Sequence, residues 1–203
     1  MSDQVFPTKG NLLKIKKSLE LAKVGFELLD RKRNILIREA LSLTDKAKNI
    51  ETLIKENYKI AYKMLERANI ELGIVDELSN SVPIDNGITI SAKSVMGIEL
   101  PTVNLKKEKR VNHFGFHRSS IHLDEAYSNF QNVKELTAQL AETESSIVRL
   151  ASGIRKTQKR ANALKNIVIP RFESQVKFIT SALDEKEREE FSRLKVIKKN
   201  IDG

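Results

Sequence analysis

Apolar residues recur along the first third of the chain at alternating steps of three and four. Between residues 12 and 68 the steps define seventeen consecutive positions, of which fifteen are apolar. Random placement at the chain's 40% apolar content would give about seven. The exceptions are Arg33 and Asn57, and a polar residue in such a seam fixes helix register at a cost in stability. The pattern predicts one long helix, with Thr8 as its N-cap, that ends at about Leu72.

A second seam runs through the C-terminal part of the chain, in a helix predicted to start near Ser119 and to continue to about Lys199. Nine of its first twelve positions, from Leu123 to Ala161, are apolar, and Glu144 is one of the exceptions. From Leu164 to Val176 the steps become four residues each, a spacing that unwinds a left-handed supercoil, and Pro170 inside it should kink the helix or remove one hydrogen bond. The seam then continues at Ile179, Leu183, Phe191 and Leu194.

Between the two seams lies a region with a different pattern. Ile88, Ile90 and Ala92 alternate with polar residues, as do Ile98 and Leu100, and Met96-Gly97 separates the two runs. This alternation predicts a short β-hairpin. A hairpin alone is marginally stable in water, so it should pack on the helices or on a partner.

A stripe as narrow and long as the first seam must be buried against another long helix. We therefore predict an all-α-dominated fold, a long antiparallel two-helix coiled coil formed by the N- and C-terminal helices, with a small middle region that contains the hairpin. The predicted division is an N-terminal coiled-coil helix at 8–72, a middle region at 73–118 and a C-terminal coiled-coil helix at 119–199. The expected object is a rod.

Composition excludes several classes of function. The chain has no Cys, and no stretch without a charged residue exceeds eight residues, so neither thiolate chemistry nor a membrane span is predicted. The N-terminus lacks the apolar region of a secretory signal. No phosphate-binding glycine loop or hydrolase motif occurs. We expect no enzyme activity from this chain alone and no cofactor, since a two-helix rod offers no concave site.

Three histidines are clustered after the predicted hairpin. His113, His117 and His122 invite interpretation as a metal site. They lack Cys partners and carboxylates at ligand spacing, so we interpret them as polar loop residues and predict no metal site.

Positive charge is concentrated on the second helix. The chain carries a net charge of +9, and residues 149–177 hold eight Lys or Arg against Glu173 alone. Such a stretch attracts anionic partners, or is simply a solvated helix face. A basic coiled-coil module that binds nucleic acid or an acidic membrane is one interpretation, although aromatics for base stacking are few. A passive scaffold between two proteins is another.

Three segments are more specific than these patterns. They are PTKGNLLKIKKSLELAKVGFELLDRKRNIL, VMGIELP, and TQKRANALKNIVIPRFESQVKFITSALDEKEREEFSRLKVIKK. In this order they resemble the D subunit of the V-type and archaeal A-type ATPases and ATP synthases, and the resemblance covers essentially the whole chain. Ala161 stands where that family often has a larger aliphatic residue, and Lys165 where it often has Glu.

The resemblance implies a non-catalytic rotor shaft. In that family the D subunit forms the central stalk, and its paired terminal helices enter a ring of three catalytic A and three B subunits. It binds the F subunit and connects through the C subunit (also called d) to the membrane rotor ring. The implied role is mechanical coupling of ATP hydrolysis or synthesis to ion transport, without nucleic-acid binding or membrane insertion. The implied location is cytoplasmic, peripheral to the plasma membrane, in a prokaryotic complex.

Two groups of residues are predicted to make the contacts of such a shaft. Contacts with acidic surfaces of the catalytic ring are expected from the basic stretch, namely Arg149, Arg155, Lys156, Lys159, Arg160, Lys165 and Arg171. Contacts with the rim of the ring or with the F subunit are expected from the hairpin, namely Ile90, Met96, Ile98 and Leu100.

Overall fold

Along the chain, a long helix precedes the β-hairpin and further long helices follow it. The computed structural model describes residues 6–75, 78, 80–82, 87–106 and 119–201. The helices pack together antiparallel, and among the residues so described the strands form one antiparallel pair, which confirms the predicted fold class. In chain order the elements are α1 (Lys9–Leu72), β1 (Ile88–Val95), β2 (Ile98–Leu105), α2 (Ile121–Ala163), a π-helical turn (Leu164–Val168) and α3 (Ile169–Ile201).

Side chains cap the first turn of α1 and of α2. The Thr8 hydroxyl accepts a hydrogen bond from the Asn11 N–H at 3.2 Å, as predicted for the N-cap. The Asn11 side-chain amide in turn donates to the Phe6 carbonyl at 3.0 Å. At the start of α2, the Ser120 hydroxyl accepts a hydrogen bond from the Leu123 N–H at 3.3 Å. These bonds satisfy N–H groups that have no partner inside a helix.

The predicted seam of α1 is the buried side of that helix. All seventeen of its positions are buried or half-buried, and Leu36 is completely buried. Leucines outside the seam, such as Leu13, Leu28 and Leu41, are 60–70% exposed. Position in the repeat therefore decides burial more than residue type does.

The chain divides into two compact units, and the first contains Met1–Asn34 and Arg155–Gly203. In it the Lys9 ammonium lies 3.0 Å from the Glu187 carboxylate, and the Lys23 ammonium lies 2.9 Å from that of Glu173. The two pairs are fourteen residues apart on each helix, and the numbering rises on α1 as it falls on α3. Ile179 is completely buried in this unit.

A π-helical turn occupies the stretch where the apolar spacing is four. The N–H of Ile169 donates to the carbonyl of Leu164, a bond that spans five residues. A π turn holds one more residue than an α turn, so it offsets the rotation that a four-residue spacing accumulates in an α-helix. Pro170 follows directly and has no N–H to contribute. The seam residues Leu164 and Val168 are accordingly half-buried.

The predicted seam is wrong at the end of α3. Phe191 is 70% exposed and Leu194 is 64% exposed. The physical reason is the start of α1 at Lys9, whose side chain pairs with Glu187. Residues beyond Glu187 on α3 therefore have no turn of α1 opposite them to cover their side chains.

The second unit, Ile35–Ile154, is centred on a contact between helices and hairpin. Leu36 of α1, Leu100 of β2 and Leu150 of α2 form one buried cluster. Because the hairpin also covers α2, the buried side of this helix is displaced from the predicted seam. Glu144 is exposed, whereas the neighbouring Thr143 is buried and its hydroxyl donates to a carbonyl of its own helix at 2.7 Å.

The hairpin turn is the predicted Met96-Gly97 pair. Their φ angles are +51° and +75°, which are those of a type I′ turn, the two-residue turn that matches the twist of the strands. The register pairs Val95 with Ile98 beside the turn and Ile88 with Leu105 at the open end.

Two glycines in helix interiors give a matched test of hairpin docking. A Cβ at Gly153 would overlap the Ile98 side chain, whereas a Cβ at Gly25 would make ordinary contact with Leu164. We expect Gly153→Ala to lower the free energy of unfolding by about 1–3 kcal/mol through overpacking. Gly25→Ala should raise it by about 0.5–1 kcal/mol, since Ala favours a helix more than Gly does. Denaturant unfolding of both variants measures this, and a stabilising Gly153→Ala would refute the described docking.

Candidate functional site

Four exposed cations form a row on α2. Arg155, Lys156, Lys159 and Arg160 are all exposed, and their positions span about 140° of the helix circumference. The opposite side of α2 carries the buried Ala161. Within the described ranges none of the four forms an ion pair, so we call them the basic row. Their charge is available to an anionic surface.

The other predicted cations of this stretch have surroundings of a different kind. The Arg149 guanidinium donates to the Glu99 carbonyl of β2 at 3.1 Å and so holds the hairpin on α2. The Lys165 ammonium lies 5.8 Å from the centre of the Phe26 ring, at cation–π distance. Arg171 is exposed on α3. Charge in the sequence did not distinguish these environments.

The structure divides the predicted hairpin contacts into two pairs. Ile90 is 74% exposed and Met96 is 48% exposed, so both are open to a partner. Ile98 and Leu100 instead pack in the cluster around Leu36 and Leu150. The second pair therefore holds the hairpin in place while the first pair is presented outward.

An apolar end of α3 is a surface that the sequence reasoning missed. Beyond Glu187 the helix exposes four apolar side chains between cations, and we call them the apolar end: Phe191, Leu194, Val196 and Ile197. The signal that could have found it was the predicted start of the first helix, since seam residues past that point lack a turn of α1 opposite them. Exposed apolar clusters on a helix are typical of protein contacts.

A polar contact joins the helices at two seam positions of the first unit. The Arg33 guanidinium donates to the Gln158 side-chain carbonyl at 2.8 Å and lies 2.7 Å from the Asp30 carboxylate. Gln158 also donates to Asn162 at 2.7 Å. Because Arg33 and Gln158 are both seam residues, only one register brings them together. The other polar seam residue, Asn57, donates to the Leu53 carbonyl of its own helix and selects no register.

Two surface ion pairs each shift the pKa of one member. The hydrogen bond and charge of Glu187 raise the pKa of Lys9, and the hydrogen bond and charge of Lys55 lower the pKa of Glu51. The stability contributed by the raised pKa of Lys9 is lost only as pH rises through that pKa. The stability contributed by the lowered pKa of Glu51 is lost only as pH falls through that pKa. Both groups are on the surface, so the contributions are small.

The histidine cluster lies mostly outside the described residues, since His113 and His117 fall there. The interpretation as a loop residue is wrong for His122, which lies in the first turn of α2. Its Nε2 atom is 3.4 Å from a carboxylate oxygen of Glu71, and its Nδ1 atom is 3.6 Å from one of Glu125. In the described part of the chain, no group of three or more His, Cys, Asp or Glu is placed to hold a metal ion. No helix there combines the length and apolarity needed to cross a membrane.

Comparison with known proteins identifies the family. The sequence model of the family described as the D subunit of ATP synthase matches residues 11–199. This chain belongs to that family. It is 37% identical over 199 residues to the V-type ATP synthase D subunit of Thermotoga neapolitana, with 97% of this chain and 98% of the relative covered. It is 38% identical over 204 residues to the A-type ATP synthase D subunit of Thermococcus kodakarensis, with 98% and 95% covered.

Membership extends over every surface described above. The match includes the basic row, the hairpin and the apolar end of this D subunit. The relatives' names contain both V-type and A-type, so the family relation alone does not separate these two kinds of complex.

Replacing the two seam residues tests whether they specify the helix register of the D subunit. Arg33→Met or Gln158→Met alone should lower the free energy of unfolding by about 1–3 kcal/mol, because each leaves a partner with an unsatisfied group. The double variant should recover most of this loss, since an apolar layer replaces a polar pair. A double-mutant cycle by denaturant unfolding measures the coupling. Additive losses would show that the two side chains act independently.

Proposed function

We propose that this D subunit is the central-stalk rotor shaft of a V/A-type rotary ATPase. It mechanically couples ATP hydrolysis or synthesis in the ring of catalytic A and B subunits to ion translocation through the membrane rotor ring. The observation that carries the proposal is the antiparallel pairing of the terminal helices in a chain whose family match is nearly complete. The protein itself catalyses no reaction in this proposal.

Torque transmission requires that paired helices do not slide past each other. In the first unit the Arg33–Gln158 hydrogen bond and the Lys23–Glu173 ion pair oppose such sliding. The buried Ala22 of α1 and Ile179 of α3 add apolar packing to this unit. Close packing of this kind transmits strain because protein interiors are nearly incompressible. These contacts support the use of the pair as one mechanical element.

Coupling also requires contacts that differ between orientations of the shaft. A shaft biases the catalytic sites only if its interaction free energy with the ring differs among orientations. The basic row presents charge on one side of α2, so its interaction with acidic ring surfaces would depend on rotation angle. We assign the same role, to a smaller degree, to Arg149, Lys165 and Arg171. Each of these three cations also interacts with another part of the chain.

Further contacts are proposed at the two apolar surfaces. The apolar end, together with the first turn of α1, would lie inside the catalytic ring, where exposed apolar side chains can be covered. Ile90 and Met96 of the hairpin would contact the ring's rim or the F subunit, with Ile98 and Leu100 holding the hairpin. In this proposal the shaft consists of an N-terminal helix, a middle region and a C-terminal helix, at 8–72, 73–118 and 119–199. The C (d) subunit connects this shaft to the membrane rotor ring. The site of action is the cytoplasmic side of the plasma membrane.

Reversing the basic row tests the proposal. The D subunit carrying Arg155→Glu, Lys156→Glu, Lys159→Glu and Arg160→Glu should assemble at least about tenfold more weakly with co-expressed A, B and F subunits, because four attractions become repulsions. ATP-driven rotation of the complexes that do assemble should be reduced. The measurements are sizing of the complex, ATPase rate and single-molecule rotation. The matched control reverses four exposed lysines of α1: Lys46, Lys48, Lys59 and Lys63.

The control changes the net charge by the same amount at another surface. It should assemble with the A and B subunits as the unmodified chain does. Unchanged assembly and rotation in the basic-row variant would exclude a coupling role for these cations. Failure of the unmodified chain to join A, B and F subunits, combined with strongly salt-dependent DNA binding, would favour a nucleic-acid-binding function instead.

A further inference from the structure

The outer edge of β2 is occupied by groups of α2. The Val103 N–H donates to the Glu142 carboxylate at 2.8 Å, and the Glu99 carbonyl accepts from Arg149 at 3.1 Å. Between them stands Pro101, which has no N–H to offer. The chain therefore closes this edge of the hairpin to any further strand.

The same bonds establish which residues of β1 direct their backbone groups outward. Because Glu99 and Val103 direct theirs away from β1, the even-numbered residues of β2 bond to β1. The Lys106 N–H donating to the Gly87 carbonyl at 3.1 Å agrees with this alternation. In the observed register the outward groups of β1 belong to Ile88, Ile90, Ala92 and Ser94.

These outward groups form an open edge. All four residues are exposed, and no backbone hydrogen bond from another described segment reaches them. β1 contains neither a proline nor a bulge, two of the features that usually block an edge. Its one charged residue, Lys93, has its backbone groups directed to β2, so its N–H is not one that an added strand would use. We call Ile88, Ile90, Ala92 and Ser94 the open edge.

The outer face of the hairpin is apolar next to the open edge. Residues paired across the strands share a face, so Ile90 lies beside Val103 and Ala92 beside Pro101. The opposite face carries Ile98 and Leu100, which pack against the helices. A strand added to β1 would meet unpaired backbone groups at its edge and exposed isoleucines on this face.

We propose that β1 is a docking edge on which another protein of the ATPase adds an extended apolar segment as a third, antiparallel or parallel, strand. The inference rests on the proposed function, in which the hairpin contacts a neighbouring protein of the complex, and adds the mode of contact. Backbone hydrogen bonds would supply the affinity, and Ile88 and Ile90 would select apolar residues at alternate positions. A second copy of this chain is the less suitable occupant, because the net charge of +9 opposes self-association.

Residue-resolved hydrogen exchange tests the strand addition directly. The amides of Ile90, Ala92 and Ser94 should exchange at least about tenfold more slowly in the intact ATPase than in the isolated D subunit. The inward amides of Ser91 and Lys93 are already bonded within the hairpin, so their protection should change less. This alternation distinguishes an added strand from a contact made by side chains only.

A proline substitution provides the second measurement. Ala92→Pro removes one outward N–H and leaves the bonds between β1 and β2 intact, whereas Lys93→Ala changes the neighbouring exposed residue, which lies outside the open edge. Ala92→Pro should weaken incorporation of the D subunit into the ATPase about tenfold, while Lys93→Ala should incorporate normally. Retained exchange protection of Ser91 and Lys93 in isolated Ala92→Pro would show that its hairpin is folded.

Three results would overturn the inference. Fast exchange at the open edge within an assembled, active ATPase would refute strand addition while leaving the proposed function standing. Concentration-dependent protection in the isolated D subunit, with a dimer by sizing, would make a second copy the occupant. Failure of the unmodified D subunit to assemble would remove the proposed function and this inference with it.

Discussion

The narrow apolar stripe of α1 is the constraint on which the rest of the structure depends. The stripe is too narrow and too long to be covered by the helix folding back on itself. A second helix must therefore cover its seventeen positions. In the first unit α3 and the end of α2 lie opposite it, and in the second unit Leu36 meets Leu150 and Leu100. Burying each of these leucines stabilises the fold by about 1.5–3 kcal/mol. The surfaces available to partners are what this coverage leaves open.

Periodicity predicted the elements well because burial follows the helix repeat. The type I′ turn was predictable too, since Gly97 adopts a positive φ readily and apolar alternation flanks it. The burial predictions were wrong at two places. One is where the hairpin packs on the helices, and the other is where α3 extends past the start of α1. Thr143 replaced Glu144 on the buried side because the hairpin packs on α2, and Phe191 is exposed because α1 begins at Lys9. Neither fact is encoded in the helix repeat.

The candidate surfaces were only partly predictable, since charge and hydrophobicity do not specify who contacts whom. The basic stretch predicted the exposed cations of α2, but not that Arg149 would bond to β2 or that Lys165 would lie over Phe26. From the alternation in each strand, Ile90 and Leu100 were both predicted to contact a partner protein. The register separates them, because Ile90 pairs with Val103 on one face and Lys93 with Leu100 on the other. The alternation does not indicate which of these two faces packs against the helices, and the structure shows that it is the face with Leu100.

The central claim is that the paired terminal helices turn as one body. Because the chain has no Cys, Lys23→Cys and Glu173→Cys can be joined by a short bifunctional maleimide without side reactions at native thiols of this chain. The most direct measurement is ATP-driven rotation of the assembled complex before and after this cross-link. The account predicts that the cross-link forms in high yield and that rotation rate and torque are unchanged. Loss of rotation on cross-linking would contradict it, because coupling would then require the two helices to move against each other.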